Sequence, residues 1–454
     1  MSSAMPAEIS RDMLERFAEL SPAVDQVEPE TPWWDSFGSD EYAAALSTAA
    51  QGVDETLSLY IHVPFCPGRC LYCGCNTTIT HDSSRIDRYL DVLDREMALV
   101  TERLPGERDV LSLHLAGGTP NYLNDAQLTR LTEMVERRFR LLPDTDLSIE
   151  CDPRRTSAGQ LDLLYALGYQ RITFGVQDLD PGVQRAIGRI QSLDLIRDVY
   201  WTAREIGFDS IGFDLIFGLP HQTEATFQRT LETVAELQPD RVACFGYSRS
   251  TTRGSHQHAI DVHQLPSALE RQVLFHNAVK VFTAAGYAWL GLDNFALDTD
   301  ELAVAQQEGR LHRSCIGYTA RVSDLFLGFG AGAVGEVGGY CVQNQTSVAR
   351  WQEQLEQDRF PVGRGHCLNS TEQCRRQAIE HLICNLELPA SMAAGCLEEE
   401  YKRLASFAPD GLVEIGDDRL RITTAGRFFL RNLCSEHDAY FNWDRARWHF
   451  ARSS

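Results

Sequence analysis

Six short runs rich in β-formers, 57–65, 110–116, 146–152, 170–177, 210–217 and 241–248, alternate with segments of helical periodicity. This alternation constrains the fold more than any other feature of the chain. Many of the runs are nearly continuous apolar stretches, as expected of parallel strands covered by helices. Between them lie amphipathic stretches such as 124–139, where Leu128, Leu131 and Val135 mark one face. Ser157 and Gln160 have the spacing of a capping box ahead of Leu161. Strand–helix units with right-handed crossovers imply an α/β fold class, a barrel either closed or partial. Ligand chemistry in such barrels gathers at the C-terminal ends of the strands and in the loops that follow. Candidate residues fall there on every run. Cys66 follows the first, Gly117-Gly118-Thr119-Pro120 the second, and Glu150 and Gln177 lie at the ends of the third and fourth. Asp214 lies late in the fifth, ahead of Gly218-Leu219-Pro220, and Ser248 ends the sixth.

The flanks read differently. Residues 1–56 are poor in regular pattern, with Glu28-Pro29-Glu30-Thr31-Pro32 as an irregular arm, and the barrel domain is expected over 57–360. In the C-terminal domain, 361–454, helices are expected at 371–386 and 394–407, then two short strands within 411–423 and a helix from Ala425. That order is mainly helical and winged-helix-like. A nucleic-acid module and a lid over the barrel share this pattern, and the acidic charge of the chain favours the lid.

Acidic residues number 64 against 42 Lys and Arg, for a net charge of −22. Such a surface argues against non-specific nucleic-acid or anionic-membrane binding. An anionic substrate would need local basic residues. No apolar run approaches the ~20 residues that span a bilayer, so no membrane association is expected. Four of the 13 cysteines are clustered and the other nine are scattered singly from Cys151 to Cys434. The N-terminus carries no basic segment followed by an apolar stretch. Reduced thiols in a cytoplasmic enzyme are therefore expected.

The clustered cysteines are Cys66, Cys70, Cys73 and Cys75. The first three, spaced C-x3-C-x2-C, suit a cubane [4Fe–4S] cluster with one iron left free, since thiolate is the soft ligand such clusters prefer. A fully ligated cluster transfers electrons, whereas an open iron can bind and activate a small molecule. A structural zinc site is the plainer alternative, but zinc ligands come as C-x2-C units with a distant second pair, and none follows here.

C-x3-C-x2-C is the signature of the radical S-adenosylmethionine (SAM) superfamily. Its longer form, with Cys75 and the preceding Tyr60-Ile61-His62-Val63-Pro64-Phe65, resembles the oxygen-independent coproporphyrinogen III dehydrogenase family. The resemblance spans roughly 57–434 and includes Gly175-Val176-Gln177-Asp178, Asp214 to Pro220, Asp300 to Gln306 and Leu382 to Leu386. It implies an incomplete barrel of six β/α units with a side open to a large substrate. It also implies a [4Fe–4S] cluster on Cys66, Cys70 and Cys73, with SAM chelating the fourth iron. Tyr60 and Cys75 become the catalytic candidates, and Cys75 is not assigned to iron. Tyr60, alone a core aromatic, would face the sulfonium of the first SAM. Gly117-Gly118, alone a tight turn, would meet its amino group; Glu150, alone a rim carboxylate, would meet its ribose. A second SAM is implied beside the first, contacting Tyr72, Gly118, Thr119, Gln177, Arg189 and Asp214. Two further cofactor contacts have changed: Ser248 stands for Ala and Val334 for Ile. The family reaction converts two propionates of coproporphyrinogen III to vinyl groups in haem biosynthesis. It implies a tetrapyrrole substrate, a low-potential electron donor of the flavodoxin or ferredoxin type, and a monomer.

Three departures fall on the substrate side. Thr31–Phe37 replaces an Arg-Tyr-Thr-Ser-Tyr-Pro arm, Asn294 replaces a histidine, and Cys315-Ile316-Gly317-Tyr318 replaces Phe-Gln-Gly-Tyr. Losing the arm arginine and the glutamine removes a cation and hydrogen-bonding capacity. Arg249, Arg253, His312 and Arg313 remain as local cations. A two-SAM paralogue that methylates an sp2 carbon is thus the alternative enzyme, and a haem-trafficking protein without catalysis is the alternative of another class. Tyr60, Gly117-Gly118 and Glu150 count against the latter.

Overall fold

The computed structural model describes residues 36–52, 55–249 and 255–435. The 28–32 segment, most of the 31–37 stretch and Arg253 therefore lie outside the described residues. The six expected strands form: β1 (Leu57–Val63), β2 (Asp109–Gly117), β3 (Arg140–Cys151), β4 (Arg171–Gln177), β5 (Ser210–Phe217) and β6 (Arg241–Gly246). They pair in that order, each parallel to the next. β6 ends at Gly246, which leaves Ser248 in the following loop.

The strands are less uniform than the apolar reading suggests. Only β1 is buried at every position. In the others side chains alternate across the sheet, because successive Cβ atoms point to opposite faces. Leu113, Leu115, Ile149, Ile172, Phe174, Ile211, Phe213 and Val242 join one core with Leu128, Leu131 and Val135 of the helix Asp125–Arg138. The intervening positions, including Tyr60, His114, Glu150, Thr173 and Asp214, face the opposite way.

The sheet continues past the six units to twelve strands. β7 (Tyr287–Leu290) and β8 (Asn294–Leu297) extend it antiparallel beyond β6. On the other side β9 (Leu325–Phe329) lies parallel to β1, followed by antiparallel β10 (Val334–Val337), β11 (Tyr340–Asn344) and β12 (Val362–Cys367). β7 and β12 are its two edges, so the barrel is open. The sheet also runs past position 360, where the sequence reading begins its C-terminal domain.

Two local expectations change. Part of the arm is helical, Ser39–Ala49, because Tyr42, Ala45, Leu46 and Ala49 form a stripe that packs inward. Tyr42 meets the Phe360 ring edge-on at 5.2 Å. At the second site Ser157 accepts from the Gln160 amide at 3.2 Å, but the Gln160 side chain does not return the bond. It donates instead to the carbonyls of Asn121 and Leu123 at 3.2 and 3.3 Å, so only half of the capping box exists.

In the C-terminal region the helix Ser370–Asn385 leads into β13 (Glu387–Pro389), a strand with no counterpart in the sequence reading. With β14 (Val413–Ile415) and β15 (Arg419–Ile422) it makes a three-stranded sheet. The expected helix 394–407 forms only over Glu398–Ala405; a separate short helix, Ala390–Ala393, precedes it, with Gly395 at φ +83° between the two. Leu382, Leu388, Leu404 and Leu420 share a core with Leu290 and Leu292 at the β7–β8 edge, so this region covers that edge. Cys374 and Cys396 are disulfide-bonded, against the expectation of reduced thiols throughout, because the turn after Ser370–Asn385 brings the two together. Among the described residues no helix is long and apolar enough to cross a membrane.

One buried carboxylate ties the first helix of the barrel, Ser83–Arg103, to the far strands. Glu96 accepts from the Gly330 amide at 2.7 Å, Asn344 Nδ2 at 2.6 Å and Trp351 Nε1 at 3.2 Å. Burial raises its pKa from 4.5 to about 7 despite these donors. A raised carboxyl means the unfolded chain releases its proton first as pH rises. The stabilisation Glu96 contributes is thus complete below about 4.5 and lost progressively up to about 7. Urea titrations at several pH values should show the stability gap between wild type and Glu96→Gln shrinking across that window; a gap independent of pH would contradict the assignment.

Candidate active site

The cysteine loop is a closed excursion. Phe65–Cys66 pairs in parallel with Thr78–Ile79, so the chain leaves and re-enters beside the end of β1. The loop is held by its backbone. The Leu71 amide donates to Ile187 O at 2.9 Å, His256 Nε2 to Cys73 O at 2.7 Å, and Gln257 Nε2 to Tyr72 O at 2.8 Å. Cys66 Sγ lies 3.2 Å from Thr119 Oγ1. Burial pushes its thiol up to about 11 against the pull of that hydrogen bond. Cys73 behaves in the opposite way: a hydrogen bond with Cys75 lowers it to about 7, and Arg189 and Arg69 add to the effect. Cys75, exposed on the loop, is raised by the same hydrogen bond.

Cys70 Sγ sits between two guanidiniums, 3.7 Å from Arg189 Nη1 and 3.8 Å from Arg154 Nη2. Both arginines are anchored by Asp152 Oδ2, at 3.3 Å and 2.6 Å respectively. Arg189 Nη2 also donates to Gly175 O at 2.7 Å. Among the described residues, no three Cys, His or acidic side chains converge on a point that would hold a single metal ion. A four-iron cube asks for something different, since each thiolate binds its own iron and the sulfurs stand around a body. Three thiols on one loop, one of them between two guanidiniums, fit such an anionic cluster.

The glycine pair has a packing role first. At Gly117, φ is +119° and a Cβ would lie 2.7 Å from the His62 ring; at Gly118 it would lie 2.8 Å from the Pro64 carbonyl. The Gly118 amide already donates to Val63 O at 2.8 Å, and the Thr119 amide to Phe65 O at 3.0 Å. What this turn can offer a ligand is therefore carbonyl oxygen, which suits a cationic amino group.

Glu150 is the hub of the interior. Its side chain is 44% exposed towards the cavity, and its Oε1 lies 3.7 Å from His114 Nε2. Burial raises the pKa of both Tyr60 and Asp214, and the Glu150 charge raises each further. Arg189 pulls Asp214 the other way. The Tyr60 ring lies near-parallel to His114 at 6.3 Å and to Phe326 at 6.5 Å, and Val334 packs against the same cluster. The Tyr60 hydroxyl is 2.8 Å from His62 Nδ1, and His62 Nε2 is 2.9 Å from Asn76 O. A carbonyl only accepts, so Nε2 carries the hydrogen. With burial holding the imidazole neutral, Tyr60 donates to Nδ1.

Gln177 adopts φ +67° at the end of β4, where the Asp178 amide bonds back to Val176 O at 2.9 Å. A non-glycine residue in such a turn stores about 1–3 kcal/mol of strain. It is held by Gln191, which donates to Gly175 O, and by buried Asp178, bonded to Gln222 and Thr230. Tyr72 lies beside Arg189, whose charge opposes the upward shift that burial imposes on the phenol. Ser248 lies beyond β6, where its carbonyl accepts from Gln257.

Gly117, Gly118, Thr119, Glu150, Gln177 and Ser248 lie at or just beyond the C-terminal ends of the strands, Tyr72 in the cysteine loop and Arg189 after the helix Pro181–Ala186, whereas Tyr60 and Asp214 face inward from within β1 and β5 and Val334 opens antiparallel β10. Of the cationic candidates, Arg249 follows Ser248 in the loop beyond β6, whereas His312 and Arg313 lie apart, on a hairpin beside the helix Ser370–Asn385. His312 Nδ1 is 3.0 Å from Glu380, whose carboxylate also accepts the Arg313 amide. Asn294 bonds to Asp293 at 2.9 Å, and Ile316 sits at a hairpin tip. His62, His114, Asp152, Arg154 and Gln191 are site residues that sequence reasoning missed. Their signal was present: His62 and His114 share the inward phase of Tyr60 and Glu150, and Asp152 and Arg154 directly follow the Glu150 strand.

Asp152→Ala leaves Arg189 and Arg154 side by side without their counter-charge. It should lower stability by about 3–5 kcal/mol in urea denaturation, since an uncompensated buried charge is costly. A loss below 1 kcal/mol would mean that the pair is compensated elsewhere.

The radical SAM superfamily model matches residues 60–234. Oxygen-independent coproporphyrinogen III oxidase from Salmonella typhimurium is 38% identical over 91% of this chain and 92% of its own. That from Synechocystis is 33% identical over 97% of both. The solved structure of coproporphyrinogen III oxidase from Escherichia coli, a radical SAM enzyme, matches with a TM-score of 0.86 at 37% identity, covering 91% of this chain and 97% of that one. The chain thus belongs to the radical SAM superfamily, within the family of the oxygen-independent coproporphyrinogen III oxidases.

Proposed function

We propose that this radical SAM enzyme oxidatively decarboxylates coproporphyrinogen III to protoporphyrinogen IX in haem biosynthesis, as a cytoplasmic monomer served by a flavodoxin- or ferredoxin-type donor. The observation that carries the reading is the cysteine loop of Cys66, Cys70 and Cys73 at the end of β1, beside the inward-facing Tyr60, Glu150 and Asp214, on the fold of coproporphyrinogen oxidase relatives. When bound, the reduced cluster and SAM supply an adenosyl radical that can take a β-hydrogen from a propionate. Loss of carbon dioxide and transfer of one more electron to an external one-electron acceptor would then leave a vinyl group, and two propionates would react in turn.

The chain's own contributions follow from the geometry. Cys66, Cys70 and Cys73 would hold the cluster, with Arg154 and Arg189 offsetting its negative charge at Cys70. The Tyr60 ring, fixed by His62, would present its face to the sulfonium. Carbonyls of Gly117-Gly118 would accept from the SAM amino group, Glu150 would bridge the ribose hydroxyls, and Val334 would pack beside Tyr60. A second SAM would lie against Tyr72, Gly118, Thr119, Gln177, Arg189, Asp214 and Ser248. Asp214, with its raised pKa, can donate as well as accept a hydrogen bond there. Cys75 would stay off the iron.

A second reading, radical methylation by the same two-SAM site, rests on two changes on the substrate side: Asn294 is turned to Asp293 and Ile316 occupies the hairpin tip. Anaerobic incubation with coproporphyrinogen III should give protoporphyrinogen IX and two equivalents of carbon dioxide. SAM cleavage with that substrate untouched would sink the first reading, and S-adenosylhomocysteine would point to the second. Tyr60→Leu should weaken SAM binding about three- to thirtyfold by calorimetry, from the size of a cation–π contact, while Tyr60→Phe stays near wild type. Equal losses in the two would argue against a role for the ring face.

A further inference from the structure

We propose that the surface formed by residues 67–71, 154–156 and 181–190 docks an acidic one-electron carrier protein; this rests on the reading that Cys66, Cys70 and Cys73 hold a reducible cluster. The first ground is charge. The chain as a whole carries −22. Yet the three segments around the cysteines, 64–80, 152–156 and 181–192, hold Arg69, Arg154, Arg155, Arg185 and Arg189 against one carboxylate, Asp152. Asp152 is buried and committed to Arg154 and Arg189. Arg69, Arg155 and Arg185 are exposed, and none of them forms an ion pair among the described residues. Of the nearby acids, Asp180 caps the helix Pro181–Ala186 and lies 3.7 Å from Arg229.

The second ground is apolar. Ile190 is 68% exposed, more than any other large apolar side chain among the described residues. It adjoins Arg189, whose guanidinium touches Cys70 Sγ. Gly188 lies against Leu71, where a Cβ would be 3.7 Å from Leu71 Cγ, and the Leu71 amide is bonded to Ile187 O. The loop and the 187–190 segment thus form one continuous surface. A partner seated on Ile190 is one residue away from the group that contacts a cluster sulfur. Electron transfer falls steeply with distance, which favours a donor seated on this surface. Beside it a cavity of about 490 Å³, lined by Arg185, Ala186, His221, Ile260 and Asp261, offers room for a protruding loop.

Both grounds specify the occupant. A basic patch with one exposed apolar side chain suits the small, polar interfaces of transient redox partners. Elsewhere the net negative charge repels an acidic carrier, so the patch orients as well as attracts.

The test uses a purified bacterial flavodoxin as the carrier and the reconstituted enzyme with Arg155→Glu/Arg185→Glu, Arg155→Lys/Arg185→Lys and Ile190→Ser. Stopped-flow reduction of the cluster by reduced flavodoxin should slow about tenfold or more in the Glu variant and lose its ionic-strength dependence. The Lys variant should stay near wild type and Ile190→Ser should show an intermediate loss. Reduction and SAM cleavage driven by dithionite should stay within twofold in all three. Hydrogen exchange should show flavodoxin protecting 67–74 and 181–191. An unchanged flavodoxin rate in the Glu variant, or a footprint on another face, would overturn the proposal. A chain that loads no cluster would overturn the functional reading instead, and the exchange footprint would still decide the docking face.

Discussion

The period-two alternation of side chains along seven adjacent parallel strands is the constraint on which the rest of the structure depends. One phase of each strand, such as Leu113 and Leu115 or Ile211, Phe213 and Leu215, packs against the helices. Each such side chain contributes about 1.5–3 kcal/mol when fully buried. The other phase is thereby committed to the interior, where Tyr60, His114, Glu150 and Asp214 stand on neighbouring strands. A one-residue slip in any strand would drive these polar groups into the helix-packed core and put leucines in the cavity. The core therefore positions the site by fixing register.

Electrostatic compensation is the second layer of the design. Four interior cations are paired rather than solvated: Arg189 and Arg154 on Asp152, and Arg171 and Arg241 on Asp146 and Asp300 at the N-terminal ends of the strands. Burying such charges costs several kcal/mol each unless a counter-charge and hydrogen bonds accompany them. At the C-terminal end the pairing is incomplete by design. Two guanidiniums share one carboxylate, and the positive charge left over faces Cys70. Glu150 plays the complementary part across the cavity, where its negative charge reaches Tyr60, Cys75 and Asp214.

Much of this was legible in the chain. The strand positions were, because β-rich runs bounded by turn residues are local signals; so were the cysteine loop and the rim position of Glu150 and Gln177. The alternation was harder to read, because inward glycines and a threonine, as at Gly175, Gly212 and Thr173, disguise the polar phase as part of an apolar run. The helix Ser39–Ala49 was overlooked because its stripe is mostly alanine and gains its partner, Phe360, only in the folded chain. β13 was missed because three residues have no strand signal until Arg419–Ile422 pairs with them.

The sequence by itself determined the fold class, the thiol spacing and which end of the barrel gathers the candidate residues, since each follows from residues adjacent in the chain or from periodicities of two and 3.6. Tertiary structure alone decided what those residues meet. It placed Arg154 and Arg189, 35 positions apart, on one sulfur, and committed the amides of Gly118 and Thr119 to β1 and the residues beyond it, so that only carbonyls remain to a ligand. It also turned His312 and Asn294 towards Glu380 and Asp293. Charge and hydrogen-bond partners lie far apart in the chain and come together only when the strands are in register, which no local pattern encodes.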